Sequence, residues 1–312
     1  MKILITGCNG FVGTHLATAA KQQGYTVLGV GTESIELANK NPNIDEYYSL
    51  DLTDYAALQT INISDVDAVI NLAGLASVGA SFSNPELYQT VNVGIADNVS
   101  RLIAENENTT RHIYVSSGNI YDPDQPLPIT EESRLVSDGS PYATSKIAAE
   151  KAVLEYRSQG QDAIIVRPFN HLGPGQNTGF LIPDLFAKIS VALAGDRKVT
   201  TGNLKTRRDY TDVRDVVKAY LLLATTPTEK LTSSVYNVCS GVSRSGEDIL
   251  GIMQKYIPSS NEVLFSNDPS LSRSSDPLEL VGSYSLLSKD TGWKPEIELE
   301  KTIEDFVKAA SA

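Results

Sequence analysis

Lys2-Ile3-Leu4-Ile5-Thr6-Gly7-Cys8-Asn9-Gly10-Phe11-Val12-Gly13 decides the fold. A short apolar run at 3–6 passes into a Gly-x-x-Gly-x-x-Gly loop, which passes into a helical pattern over 11–23. A pyrophosphate needs this order. Gly7 permits the tight turn, Gly10 lets backbone approach the phosphates, Gly13 allows close helix–strand packing, and the helix N-terminus adds partial positive charge. A glycine triplet alone could be an ordinary turn; between a strand and a helix it favours dinucleotide binding.

Outward from the loop, short apolar runs alternate with longer amphipathic ones. Strands are expected at 27–30, 68–72, 113–116 and 164–167, with helices at 85–104 and 142–157 between the later ones. Continuous apolar strands separated by helices indicate a parallel sheet covered on both faces. The fold class is therefore α/β, a Rossmann-type doubly wound parallel sheet with a smaller mixed α/β C-terminal substrate lobe. Regularity falls off after Pro168, where Gly173-Pro174-Gly175, Gly179 and Pro183 punctuate the chain. Residues 1–168 are read as the dinucleotide-binding domain, its sheet completed by about 209–240 with a returning strand at 235–239. Residues 169–312 are read mainly as the substrate-binding lobe.

Bulk properties narrow the function. A net charge of −12 argues against a nucleic-acid or anionic-membrane surface, either of which calls for a basic patch. Cys8 and Cys239 cannot make a disulfide framework, and neither they nor His15, His112 and His171 have metal-ligand spacing, so no metal is expected. No stretch approaches the about 20 apolar residues of a membrane span, and no apolar signal core precedes the first strand. A cytoplasmic location is expected.

An acid at the end of the second strand favours NAD, and a nearby Arg favours NADP. Here the stretch reads Val30-Gly31-Thr32-Glu33, with Gly31 where the acid would sit and no basic residue before Lys40. Glu33 is either a displaced ribose ligand or a solvated loop residue, so NAD and NADP both stay open. Asp51 either accepts from the adenine amino group or caps the helix starting near Asp54.

Tyr142-Ala143-Thr144-Ser145-Lys146 sets a phenol and an ammonium one helical turn apart on one face, after Pro141 at a helix start. A free tyrosine, with a pKa of about 10, is a poor base at neutral pH. The Lys146 cation is expected to lower it, and as a phenol Tyr142 can protonate a carbonyl oxygen. A third hydroxyl is expected at the end of the fifth strand, in Tyr114-Val115-Ser116-Ser117-Gly118-Asn119, and Ser117 is the candidate. Alternatively, Ser116 and Ser117 only satisfy backbone groups in a turn.

These residues, with Asp51-Leu52-Thr53-Asp54, Asn71-Leu72-Ala73-Gly74, Asn92, Arg167-Pro168-Phe169-Asn170, Arg208-Asp209-Tyr210, Tyr236-Asn237-Val238 and Thr291-Gly292-Trp293, resemble an extended short-chain dehydrogenase/reductase of the NAD-dependent epimerase/dehydratase group. The likeness runs nearly end to end. Within the group, the stretches at 167–176, 202–215 and 236–241 most resemble GDP-4-dehydro-6-deoxy-mannose reductases. The resemblance implies that Gly7, Asn9, Gly10, Phe11, Val12, Gly13, Asp51, Leu52, Leu72, Ala73, Gly74, Asn92, Tyr142, Lys146, Pro168 and Phe169 line the NAD or NADP site. It implies that Ser117, Asn170, Arg208, Arg273 and Asp276 bind the nucleotide-sugar, the last two with Ser274 where relatives carry proline. Arg207 is read as a solvated or salt-bridged charge, and His171 as either a packed residue or a substrate contact. The family's habit implies a homodimer through the helices at 85–104 and 142–157.

Relatives divide by reaction. Dehydratases carry Asp-Glu just after the catalytic hydroxyl; here Gly118 and Asn119 stand there, and neither is a general acid. The 3,5-epimerase-reductases use a cysteine in the same turn, which this chain lacks. Reduction of a 4-keto sugar remains, with a UDP-sugar 4-epimerase, a dTDP-4-keto-6-deoxyhexose reductase and a non-catalytic NAD(P)-binding sensor as alternatives.

Overall fold

The computed structural model describes residues 1–38, 41–106, 109–268 and 277–311. Its strands are β1 (Lys2–Thr6), β2 (Thr26–Gly31), β3 (Glu46–Ser49), β4 (Ala68–Asn71), β5 (Arg111–Val115), β6 (Ala163–Pro168), β7 (Asn170–Leu172), β8 (Lys198–Thr201), β9 (Arg207–Asp212), β10 (Val235–Val238), β11 (Ser243–Ser245), β12 (Leu264–Asn267) and β13 (Glu279–Leu280). Its helices are α1 (Phe11–Gln22), α2 (Ile35–Ala38), α3 (Tyr55–Leu58), α4 (Val78–Ser81), α5 (Pro85–Ala104), α6 (Pro141–Ser158), α7 (Leu181–Ala194), α8 (Val213–Thr225), α9 (Gly246–Gln254), α10 (Ser285–Thr291) and α11 (Leu299–Ser311).

Seven strands form one parallel sheet in the order β10-β6-β5-β4-β1-β2-β3. The chain winds outward from β1 through β2 to β3, then returns to β4 and winds the other way. The strand order reverses between β1 and β4, and in such sheets ligands bind outside the carboxyl ends of the strands at that switch. Both faces are buried because every second side chain points to the opposite side. Ile3 and Ile5 join the apolar cluster that also takes Leu16 of α1 and Val216 and Tyr220 of α8, while Leu4 between them joins Val69, Ile95 and Val99. Likewise Ile164 and Val166 face α8, and Ala163 and Ile165 face Ala149 and Val153 of α6. The Rossmann-type sheet is as expected.

The edge strand β3 was not among the expected strands. Its Glu46-Tyr47-Tyr48-Ser49 is only half-buried, as an edge permits, and so lacks the continuous apolar run of the inner strands. Of the span about 209–240, α8 and β10 join the central layer, whereas β9 pairs with β7, β11 and β13 in a separate four-stranded sheet. Another apolar cluster gathers Ile182, Leu185 and Ile189 of α7 with Ile249 and Met253 of α9 and Ile303 and Phe306 of α11. Among the described residues, no helix is long and apolar enough to cross a membrane.

Candidate active site

The glycine loop is closed by its own backbone. Gly7 adopts φ 66°, a left-handed conformation that a side chain disfavours. A Cβ on Gly13 would lie 2.2 Å from the Gly7 carbonyl oxygen, so no larger residue fits there. Gly7 also packs against the start of the β4 loop, where its own Cβ would lie 3.3 Å from Ala73 Cα. Thr6 fastens the two loops together: its hydroxyl donates to Asn71 Oδ1 (2.7 Å) and accepts from the Ala73 N–H (3.0 Å).

What these loops offer is unsatisfied donors. Helix α1 begins at Gly10 with no side-chain cap and no acid in its first turn, so the first N–H groups, beginning with Phe11 and Val12, face outward with the positive end of the helix dipole. Among the described residues, the buried Asn9 Nδ2 and Ser116 Oγ have no hydrogen-bond partner. Orphaned donors around a backbone cradle suit a dinucleotide, whose phosphate and ribose oxygens would satisfy them.

The neighbouring residues divide into exposed and committed. Asp51 is exposed, and its Oδ1 accepts from the Thr53 N–H and hydroxyl at 2.9 and 2.8 Å. It does not cap α3: Asp54 does, accepting from the Ala57 N–H. That removes the capping alternative for Asp51. Leu52 is buried under the sheet edge, Leu72 is half-buried, and Gly74 lies where a Cβ would meet Asn92 Oδ1 at 2.7 Å. Asn92 is itself a clamp. It accepts from the Leu75 N–H (2.8 Å) and donates to the Leu75 carbonyl (3.2 Å) and Ser145 Oγ (2.9 Å), tying the β4 loop to α6. Its amide is fully engaged within the protein.

Ser117, Tyr142 and Lys146 converge beside this cradle, each 6% exposed. Ser117, two residues beyond β5, caps a single 3₁₀ turn, Gly118–Ile120, which Phe169 holds tightly: a Cβ on Gly118 would lie 2.9 Å from the Phe169 ring. Phe169, just beyond Pro168, stacks on Tyr121. The Ser117 hydroxyl accepts from the Asn119 N–H (3.1 Å), leaving its own proton to donate toward Tyr142. Tyr142 stands at the start of α6, where Pro141 opens the helix and Ser140 caps it by accepting from the Ala143 N–H.

Electrostatics partly overturn the sequence expectation. Burial raises the Tyr142 phenol above its ordinary range, the Ser117 hydrogen bond pulls against that, and Tyr88, edge-on at 6.5 Å between ring centroids, adds to it. Lys146 does not lower it here. Its ammonium turns to β5, donating to the Val115 carbonyl (2.8 Å) and the Tyr114 hydroxyl (3.3 Å). Burial brings Lys146 down to about 8, with Glu150 one turn on acting in the opposite sense.

Across from this trio, β7 and β9 align Asn170 with Tyr210. Arg208 donates through Nη1 to the carbonyls of Arg207 (2.8 Å) and Pro277 (2.9 Å). Burial lifts Tyr210 to about 12, opposed by the Arg208 charge and an Asn170 hydrogen bond. Arg207 bonds to Ser243 and pairs with Asp248, the structural reading expected of it. His171 packs: its Nδ1 meets the Phe169 carbonyl at 3.0 Å and its ring stacks on Phe11. Arg273 and Asp276 lie outside the described residues. Sequence reasoning missed Tyr88 and Tyr114, whose contacts to Tyr142 and Lys146 join helices and strands far apart in the chain and leave no local pattern.

Residues 3–239 match the family described as the NAD dependent epimerase/dehydratase family. The chain is 30% identical over 309 residues to a GDP-6-deoxy-D-mannose reductase of Pseudomonas aeruginosa, covering 97% of this chain and 94% of that protein. It is 27% identical to a UDP-glucose 4-epimerase of Yersinia enterocolitica, over 98% of this chain and 96% of that one. Among solved structures, RMD from Pseudomonas aeruginosa complexed with NADPH superimposes with a TM-score of 0.81 at 28% identity, covering 99% of this chain and 98% of that one. The chain belongs to the NAD-dependent epimerase/dehydratase family and is an NAD(P)-dependent enzyme.

Proposed function

We propose that this enzyme acts on a nucleotide-sugar and reduces the 4-keto group of a 4-keto-6-deoxy sugar, GDP-4-dehydro-6-deoxy-D-mannose being converted to GDP-D-rhamnose. The carrying observation is the buried Ser117–Tyr142 hydroxyl pair, followed by Gly118 and Asn119 rather than acids. Eliminating water needs a general acid in that turn, and reduction does not. The likeness to the Pseudomonas aeruginosa reductase supports the same choice.

In this reading the chain divides as its sequence suggests, with 1–168 holding the dinucleotide and 169–312 mainly the sugar nucleotide. The uncapped start of α1, with Gly7, Asn9, Gly10, Phe11, Val12 and Gly13, holds the pyrophosphate. Asp51, Leu52, Leu72, Ala73 and Gly74 line the adenosine side, and Pro168 and Phe169 line the nicotinamide side. Asn92 acts through the loop it fastens. A bound reduced nicotinamide supplies the hydride.

The chain's own part is the proton and the grip. Ser117 donates to the C4 carbonyl oxygen and orients it. Tyr142, kept as a phenol by burial, gives its proton to the same oxygen as the alcohol forms, and the Ser117 hydroxyl proton then turns from that oxygen to the phenolate left behind. Lys146, held against β5, contributes a positive charge beside the ribose. Arg208 grips the diphosphate, where a planar guanidinium matches phosphate oxygens, with Asn170 near the sugar. Arg273 and Asp276 extend the diphosphate and ribose grip in the same reading.

The test is oxidation of NADH and NADPH with GDP-4-keto-6-deoxy-mannose, beside dTDP-4-keto-6-deoxy sugars and UDP-sugars. Turnover with the GDP substrate alone is expected. A 4-epimerase is the second reading, favoured by the likeness to the Yersinia enterocolitica protein; interconversion of UDP-sugars with no net nicotinamide oxidation would establish it instead.

A further inference from the structure

The end of β2 carries no acid of its own, but a carboxylate from two residues along lies against it. Gly31 closes β2, and a Cβ there would lie 2.4 Å from Glu33 Oε2 and 2.8 Å from the Tyr47 hydroxyl. The half-buried Glu33 thus folds back so that its carboxylate fills the space a side chain at 31 would take. Tyr47, from the neighbouring strand β3, pins it by bonding to both Glu33 Oε2 (2.9 Å) and the Glu33 carbonyl (3.1 Å). No hydrogen bond described for Glu33 uses Oε1. The carboxylate lies close enough to the glycine loop for its charge to act on Cys8. A glycine at 31 is what makes room for the arrangement.

We propose that Glu33, fixed by Tyr47, is the residue that selects NADH over NADPH in this enzyme. A dinucleotide with its pyrophosphate on the loop at 7–13 extends its adenosine ribose toward the end of β2. There a carboxylate accepts hydrogen bonds from the ribose hydroxyls, and it repels the additional negative charge of a 2′-phosphate. Residues 30–38 supply no Arg or Lys to offset that repulsion, and Glu36 adds a second acid. Lys40 lies outside the described residues. The Pseudomonas aeruginosa structure was solved with NADPH, so this chain departs from that relative.

The inference rests on the dinucleotide-binding reading of the glycine loop, and calorimetric titration of the whole enzyme with NADH and NADPH separates the two. The wild type is expected to bind NADH tighter by on the order of tenfold to a hundredfold, since juxtaposed like charges strongly disfavour the wrong ligand. Glu33→Gln, which keeps the size and the Tyr47 contact, is expected to narrow the ratio mainly by improving NADPH binding. Tyr47→Phe should narrow it partly, with the melting temperature of both variants confirming that they fold. NADPH binding as tightly as NADH in the wild type would overturn the proposal alone. An NADH preference unchanged in Glu33→Gln would overturn the role of Glu33. Binding of neither nucleotide would sink the dinucleotide reading and this proposal with it.

Discussion

On the side proposed to hold the dinucleotide, position is set by backbone: Gly7 at φ 66°, Gly13 against the Gly7 carbonyl, and the uncapped start of α1. On the side proposed to take the sugar, position is set by side chains on short strands, such as Arg208 tied to the carbonyls of Arg207 and Pro277, and Asn170 in register with Tyr210. The backbone-built side tolerates almost no change of residue type, because a Cβ has nowhere to go. The side-chain-built side can be altered one contact at a time without losing the frame. In the proposed function, binding of the dinucleotide and recognition of the sugar are thereby separated.

Substitutions on either side, and between them, can break that contrast. The largest effect is expected where the two sides meet. Tyr142→Phe should lower kcat by about a hundredfold to ten-thousandfold, the usual contribution of a positioned acid, while the Kd for the dinucleotide stays near wild type. Turnover close to normal would remove Tyr142 from the chemistry. On the backbone side, Gly13→Val forces atoms into the Gly7 carbonyl and should cost about 3 kcal/mol of stability, visible in urea unfolding, together with dinucleotide binding. A variant that folds and binds normally would mean the loop is not held as described.

On the side-chain side, Arg208→Ala should raise KM for the nucleotide-sugar by roughly tenfold to a hundredfold, the scale of a charge-assisted hydrogen bond, with the dinucleotide Kd unchanged. Asn92→Ala joins the two regimes. It strips partners from the Leu75 backbone and Ser145, so it should cost about 1–2 kcal/mol in unfolding, with a modest loss of dinucleotide affinity. The smallest effect is a pH limb. Lys146, brought down to about 8 by burial, is cationic below that value and neutral above it. With its charge serving the proposed reaction, kcat/KM should fall modestly as pH rises through about 8, and Lys146→Met should abolish that limb.

The same contrast explains what could be read from the chain. The run from Ile3 to Gly13 was legible because its requirements are local: an apolar strand, glycines where no side chain fits, and a helix start. The inner strands were legible from their continuous burial, whereas β3, with Glu46 and Ser49 exposed, carries no such run. Strands of two or three residues such as β7, β11 and β13 offer no period to detect, and their pairing is set by contacts with β9 far along the chain. Tyr142 and Lys146 could be matched as a pair, yet the direction in which Lys146 turns depends on Tyr114 and Val115 of β5, which no spacing encodes. In the sequence Glu33 admits two readings, because its meaning lies in the side-chain space at Gly31, a property of folded geometry.

In the proposed reaction, hydride and proton are delivered to C4 of a keto sugar at Ser117 and Tyr142. The most direct measurement is turnover of GDP-4-keto-6-deoxy-mannose with nicotinamide nucleotide carrying deuterium at the transferable position, followed by NMR of the product. One deuterium at C4 of a 6-deoxy sugar is expected, with stoichiometric nucleotide oxidation and loss of product formation in Tyr142→Phe. A product without deuterium at C4, or an unchanged keto sugar beside active interconversion of UDP-sugars, would contradict it.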